Sequence, residues 1–196
     1  MATLSDIRTR LRIDLGDPAS DRWDGATLAR HIAHALSELS APCPREVTAT
    51  LATTPGSREL SLASIEGLIE VEAAEYPAGH FPPCYVRFAT WEGSLTLQTA
   101  TAPDGGDARL YCTVAHTLDE AGSTLPAGLE DVLVLGAAAY AALELSSATI
   151  EQLNLNGGTP AAYAAMARAR FTAFHQMVRH YGRKNRVRTR TLYTPA

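Results

Sequence analysis

Cysteine, lysine and long apolar runs are all scarce in this 196-residue chain, and each scarcity excludes something. Cys43, Cys84 and Cys112 lie far apart and are odd in number, which argues against a disulfide framework or a CxxC metal knuckle. They are expected to be reduced, small apolar fillers, as in a cytosolic product. No apolar run approaches the ~20 residues of a bilayer span. The opening Met1-Ala-Thr-Leu-Ser-Asp lacks the basic-then-apolar order of a secretion signal, so neither a membrane nor export is expected. One lysine stands against sixteen arginines, a bias that carries no function by itself.

What is present begins with a sizeable core. The chain is 46% hydrophobic, enough for one or two modest domains. Its formal net charge of −4 conceals a strong asymmetry. Arg179, Arg183, Lys184, Arg186, Arg188 and Arg190 follow Val178 with no acid among them, leaving eleven bases against twenty-one acids upstream. A basic end on an acidic body favours docking of that end onto an acidic surface and disfavours a body that grips nucleic acid. The same end has a period of two. Arg186, Arg188, Arg190 and Leu192 occupy one register, and Val187, Thr189, Thr191 and Tyr193 the other. That is a strand with two different faces, and a lone strand is stable only once it pairs.

Helical spacing occupies both ends of the chain. Thr3 and Asp6 form a capping box ahead of Ile7, Leu11 and Leu15, with a stop at Gly16-Asp-Pro. Asp24 suits an N-cap, Trp23 and Leu28 a hydrophobic staple, and Leu28, Ile32, Leu36 and Leu39 one stripe to about Ser40. After Pro126 a third helix carries the small residues Gly136, Ala137, Ala138 and Ala141 beside Tyr140. Such a surface admits a close neighbour, in the same bundle or in an adjacent subunit. Thr159 and Pro160 start the last helix, which is expected to close near Tyr181.

Between Pro44 and Leu118 the period changes to two, in Val47/Ala49/Leu51, Leu60/Leu62, Leu68 to Glu72, Cys84 to Ala89, Leu95/Leu97 and Leu110/Cys112/Val114. Gly- and Pro-rich turns separate these runs. The expected fold class is therefore α+β: an antiparallel bundle of four main helices from residues 1–43 and 119–181, an inserted antiparallel β-sandwich or barrel-like domain at 44–118, and an extended basic tail at 182–196.

Catalytic signatures are scarce, and an enzyme is not expected. No serine stands in a GxSxG context and no cysteine in a catalytic motif. Gly157-Gly158 lacks the Lys-Ser/Thr of a phosphate loop and reads as turn chemistry. His31 and His34 stand three apart on a helix with no HExxH and no acidic third ligand, so they read as a polar or interface face and no metal or cofactor is expected. Glu70 and Glu72 share a strand face in a regular strand and read as solvated, while His116 reads as a hydrogen-bonded histidine at a strand end. The pair Asp119/Glu120 falls in a connecting turn.

Motif order carries a resemblance. Trp23-Asp-Gly-Ala-Thr-Leu with Ile32-Ala-His-Ala-Leu-Ser-Glu-Leu, Val71-Glu-Ala-Ala-Glu-Tyr-Pro before Pro82-Pro, Ala115-His-Thr-Leu with Ser123-Thr-Leu-Pro, Leu135-Gly-Ala-Ala-Ala-Tyr-Ala, and Phe174 in a terminal helix before a basic tail together resemble adaptor proteins of tailed-bacteriophage head-to-tail connectors. The resemblance implies a structural virion protein assembled in the host cytoplasm and located in the head-tail neck. It implies a homo-oligomeric ring, twelve copies in this family, seated under the portal protein, with a channel through which genomic DNA passes without specific binding and a lower face for a neck stopper or tail protein. The tail, and above all Arg183, Lys184 and residues 186–193, would reach into the portal as an added strand. Alternatives are a stopper or tail-completion protein of the same neck, or a nucleic-acid-binding protein using the basic tail.

Overall fold

The structure, a computed structural model, describes residues 2–151 and 159–185. It is mixed α+β, with four helices, seven strands and two antiparallel sheets among those residues. Pro44–Ala115 forms one compact unit, and the segments on either side of it form another.

In the helical unit, α1 (Leu4–Asp14) starts on the capping box, with Asp6 N donating to Thr3 Oγ1 at 3.1 Å and Thr3 N to the Asp6 carboxylate at 2.9 Å. Asp17 then organises the link to the next helix. Its buried carboxylate accepts from the backbone N–H groups of Asp21, Arg22 and Trp23, which seats the Trp23 ring in the core. α2 (Gly25–Ser40) is capped by Asp24, which accepts from Thr27 N at 2.7 Å. α3 (Ala127–Glu151) and α4 (Thr159–Asn185) complete the unit. One core joins all four: Ile7 and Leu11 from α1, Leu28, Ile32 and Leu39 from α2, Val132, Leu133 and Ala137 from α3, and Phe174 and Val178 from α4. The loop at 154–158 lies outside the described residues.

His116 belongs to this unit, so the unit boundary falls between Ala115 and His116, three residues before the expected Leu118. His116 N donates to Ser40 Oγ at 3.2 Å, and its Nε2 lies 3.0 Å from the Cys43 carbonyl oxygen. Leu4 N likewise donates to Asp119 O at 2.8 Å.

The inserted unit holds seven strands: β1 (Arg45–Ala52), β2 (Glu59–Ser61), β3 (Leu68–Glu75), β4 (Tyr85–Val86), β5 (Phe88–Trp91), β6 (Ser94–Leu97) and β7 (Asp107–Val114). Four form a sheet in the order β1-β7-β3-β4 and three a second sheet in the order β2-β6-β5, and neither closes into a barrel. A core cluster of Leu60, Leu62, Leu95 and Leu97 with Val71, Ala74, Ala108 and Leu110 draws on both sheets. The run from Cys84 to Ala89, read as one strand, divides at Arg87: β4 pairs with β3, while β5 pairs with β6 and sends Phe88 toward the core. Residues on either side of Arg87 serve different sheets, which hydrophobic periodicity cannot show.

Candidate functional site

The C-terminal helix runs further than its sequence indicates. α4 continues through Gly182, Arg183 and Lys184 to Asn185, so these residues extend the helix and do not open an extended tail. Gly182 is the first residue of the expected tail, and glycine often ends helices. Here its missing side chain has another use, since a Cβ built on it would stand 2.8 Å from the Pro42 carbonyl oxygen. The close approach of α4 to residue 42 needs a glycine within the helix, and tertiary packing overrides its weak helix propensity. Arg186, Val187, Arg188, Thr189, Arg190, Thr191, Leu192 and Tyr193 lie outside the described residues.

The small-residue stripe is consumed within the chain. Ala137, Ala138 and Ala141 are fully buried, and a Cβ on Gly136 would meet the Phe174 ring at 2.7 to 3.0 Å. Of the positions read as admitting a close neighbour, in the same bundle or in an adjacent subunit, Gly136 has the Phe174 ring of α4 in the same chain against it. Tyr140 sits at the edge of that contact. Its hydroxyl donates to Glu38 Oε2 at 2.7 Å, and its ring meets Phe171 edge-on at 4.9 Å. Glu38 Oε1 lies 2.6 Å from His175 Nε2, so one carboxylate ties α2 to both α3 and α4. Burial, with the Glu38 carboxylate beside it, pushes the Tyr140 hydroxyl up to about 12.

His31 and His34 diverge. His31 is buried, edge-on to Trp23, with Nε2 2.8 Å from Glu144 Oε2. Burial lowers its pKa and the Glu144 carboxylate partly opposes that. His34 packs instead against Tyr140, with ring centroids 5.2 Å apart. Among the described residues no group of three or more His, Cys, Asp or Glu side chains is placed to hold a metal ion. No described helix is long and apolar enough to cross a membrane. His116 is held by polar partners at both ring nitrogens, Nδ1 lying 3.1 Å from the Thr124 carbonyl oxygen.

Glu70 and Glu72 stand in an irregular part of β3. Register shifts between Leu68 and Glu70 and between Val71 and Ala73 break the alternation of β3 against β7. Both glutamates nevertheless line one groove. It lies between the first half of β3 and the β5–β6 hairpin, encloses about 1180 Å³, and has an apolar floor that includes Leu62, Ile65 and Phe88. Trp91, 78% exposed, stands at its rim beside Glu92 and Gly93 of the hairpin turn. Glu70, Glu72 and Glu92 line it, and among the described residues no basic side chain does. β4 pairs with β3 only at Ala74 and Glu75, so the earlier half of β3 has no strand on its outer edge among the described residues. β5 is likewise the end strand of its sheet. Sequence reading overlooked this groove; the visible signal was a tryptophan at a Glu-Gly turn, where no core position was needed.

No curated protein sequence matches the chain. Among solved structures, chains in the neck of an empty GTA particle computed with C6 symmetry and in the neck of a native GTA particle computed with C12 symmetry are similar to it at 17% identity and a TM-score of 0.31. The match covers 80% of this chain in each case, and 80% and 83% of the respective neck chains. At that TM-score the likeness establishes neither arrangement nor assembly. The family model of the SU10 adaptor protein matches residues 2–192, nearly the whole chain, and the chain therefore belongs to the SU10 adaptor protein family.

Proposed function

We propose that this adaptor forms a ring, of twelve copies, that joins the portal to the neck or tail of a tailed bacteriophage and leaves a channel for DNA. The helices, read as an antiparallel bundle, form the ring body. The basic C-terminal segment is the anchor to the portal. Family membership supports the adaptor role. The observation that carries the anchor is the strand-like alternation of residues 186–193, with arginine in every second place, beyond the end of α4. An added strand gains main-chain hydrogen bonds from the sheet it joins, and its arginines gain charge-assisted bonds from acidic groups there. An acidic body suits a channel along which DNA slides, because tight DNA binding needs cations to displace counterions. The protein is then a virion component assembled in the host cytoplasm.

The test is co-sedimentation with the portal ring encoded by the same genome, comparing the full chain with one ending at Asn185. That end point preserves α4 and its contact with residue 42. Stoichiometric binding lost on truncation is the expected result. Equal binding by both forms refutes the anchor, and no binding by either removes the portal as partner and favours a stopper or tail-completion position.

A further inference from the structure

We infer that, before any partner is bound, residues 186–193 pair with the outer edge of β1 of the same chain as a parallel fifth strand. This rests on reading those residues as a docking strand, but not on the portal being their partner.

The edge is distinctive for its length. β1 ends the sheet β1-β7-β3-β4, and its eight residues pair with β7 in an unbroken register from Arg45 opposite Val114 to Ala52 opposite Asp107. Among the described residues no strand pairs with its other side, where every second residue aims an N–H and a C=O outward. From Val47 to Ala52 it carries neither proline nor charge, the devices that commonly blunt an exposed edge. The other described end strands are short: β4 has two residues, β2 three and β5 four. Among them only β1 matches a segment of eight residues.

The occupant is the same chain because of where α4 ends. A Cβ on Gly182 would stand 2.8 Å from the Pro42 carbonyl oxygen, and Cys43 Sγ lies 3.5 Å from the Val178 carbonyl oxygen. β1 begins two residues after Cys43, and the segment begins four residues after Gly182. Three extended residues reach about 11 Å and four helical ones rise about 6 Å, so Arg186 stays within about 25 Å of Arg45 through chain connectivity and that one contact. A segment tethered so closely meets the edge at an effective concentration on the order of millimolar, which a second copy in dilute solution does not match. Segment and strand start from the same end, so pairing along β1 is parallel.

Their faces also agree. Val47, Ala49 and Leu51 share one face of β1 and are half-buried, with Val47 and Leu51 against the β core. Val187, Thr189, Thr191 and Tyr193 would continue that face with β-branched and aromatic residues. Glu46, Thr48 and Thr50 lie exposed on the opposite face, where Arg186, Arg188 and Arg190 then fall. Pairing covers an edge that would otherwise recruit other chains, and it withholds the segment: a partner that takes residues 186–193 has to displace them from β1.

Hydrogen exchange of the β1 amides that do not bond to β7 tests this in the full chain. They should exchange about tenfold more slowly than in a chain ending at Asn185, and roughly fiftyfold dilution should leave the difference unchanged. T189P/R190P removes two consecutive N–H donors, one of which must face β1 in either register, and should abolish the protection. T48K/T50K sets cations beside the arginine face at two exposed positions and should weaken it. Circular dichroism checks the fold of each variant. Equal exchange with and without residues 186–196, protection that fades on dilution as a strand from another copy would give, or protection unchanged in either variant would each overturn the inference. The portal is absent from these measurements, so they can fail while the anchor stands. T48K/T50K keeps its segment intact and still co-sediments with the portal ring if the anchor reading is right, whatever becomes of the β1 edge.

Discussion

Replacing Gly136 by alanine tests the packing of α3 on α4 directly. In an unobstructed helix interior the change stabilises a protein by ~1 kcal/mol, because glycine loses more backbone freedom on folding. Here the new Cβ would stand 2.7, 2.8 and 3.0 Å from Cε2, Cδ2 and Cζ of Phe174, a ring that is fully buried and cannot swing into solvent. Relief requires the two helices to separate or the ring to leave its rotamer, at ~1–3 kcal/mol for overpacking of this kind. The difference leaves G136A less stable by about 1 kcal/mol, or ~2–4 °C in Tm for a chain of this size. Urea unfolding should be followed by Trp23 fluorescence in a Trp91→Phe background, since Trp23 lies in the helical core and the chain has two tryptophans. Phe174→Leu should partly relieve the clash, so the G136A/F174L double mutant should be more stable than the single effects add up to, by at least ~0.5 kcal/mol. A G136A protein more stable than its parent, with no coupling to residue 174, would refute the close-approach account.

Three further outcomes follow from particular groups. Tyr140 keeps its proton to about 12 in the folded chain against an ordinary value near 10; the folded state therefore holds this proton longer, and the associated stability is present below about pH 10 and lost as pH rises toward 12, a loss that Tyr140→Phe should remove from the unfolding profile. His31 has a lowered pKa, so its burial favours the neutral ring: the associated stability is full above about pH 6.5 and declines as pH falls through and below that value, and a flatter denaturation profile is expected for His31→Gln, whereas an unchanged slope would count against burial as the cause. Asp17→Ala strips three backbone N–H groups of their acceptor before α2 and should cost about 1–3 kcal/mol in urea unfolding, with an accompanying shift in Trp23 emission.

Local chemistry made the helix starts legible. Thr3 with Asp6, and Asp24 after Trp23, are signals that span a few residues, and the structure uses them with the expected partners. Alternation likewise located most of the β segments, because a half-buried strand writes its two faces into adjacent residues. The groove was not legible. Leu62 and Ile65 come from the β2–β3 connection and Phe88 and Trp91 from β5, segments more than twenty residues apart that only the packed sheets bring to one groove.

By itself, the sequence determined which residues cap, which alternate and where charge accumulates, since each depends on neighbours a few bonds away. It also carried the family, through the order of its motifs along the chain. Tertiary structure decided what glycine and alanine were for. Gly136 reads as admitting a close neighbour, in the same bundle or in another subunit, and Gly182 as the first residue of the tail; at each, a ring or a carbonyl from a distant segment comes too close for a side chain. A small residue records that something approaches; what approaches it is known only once distant parts of the chain are packed together.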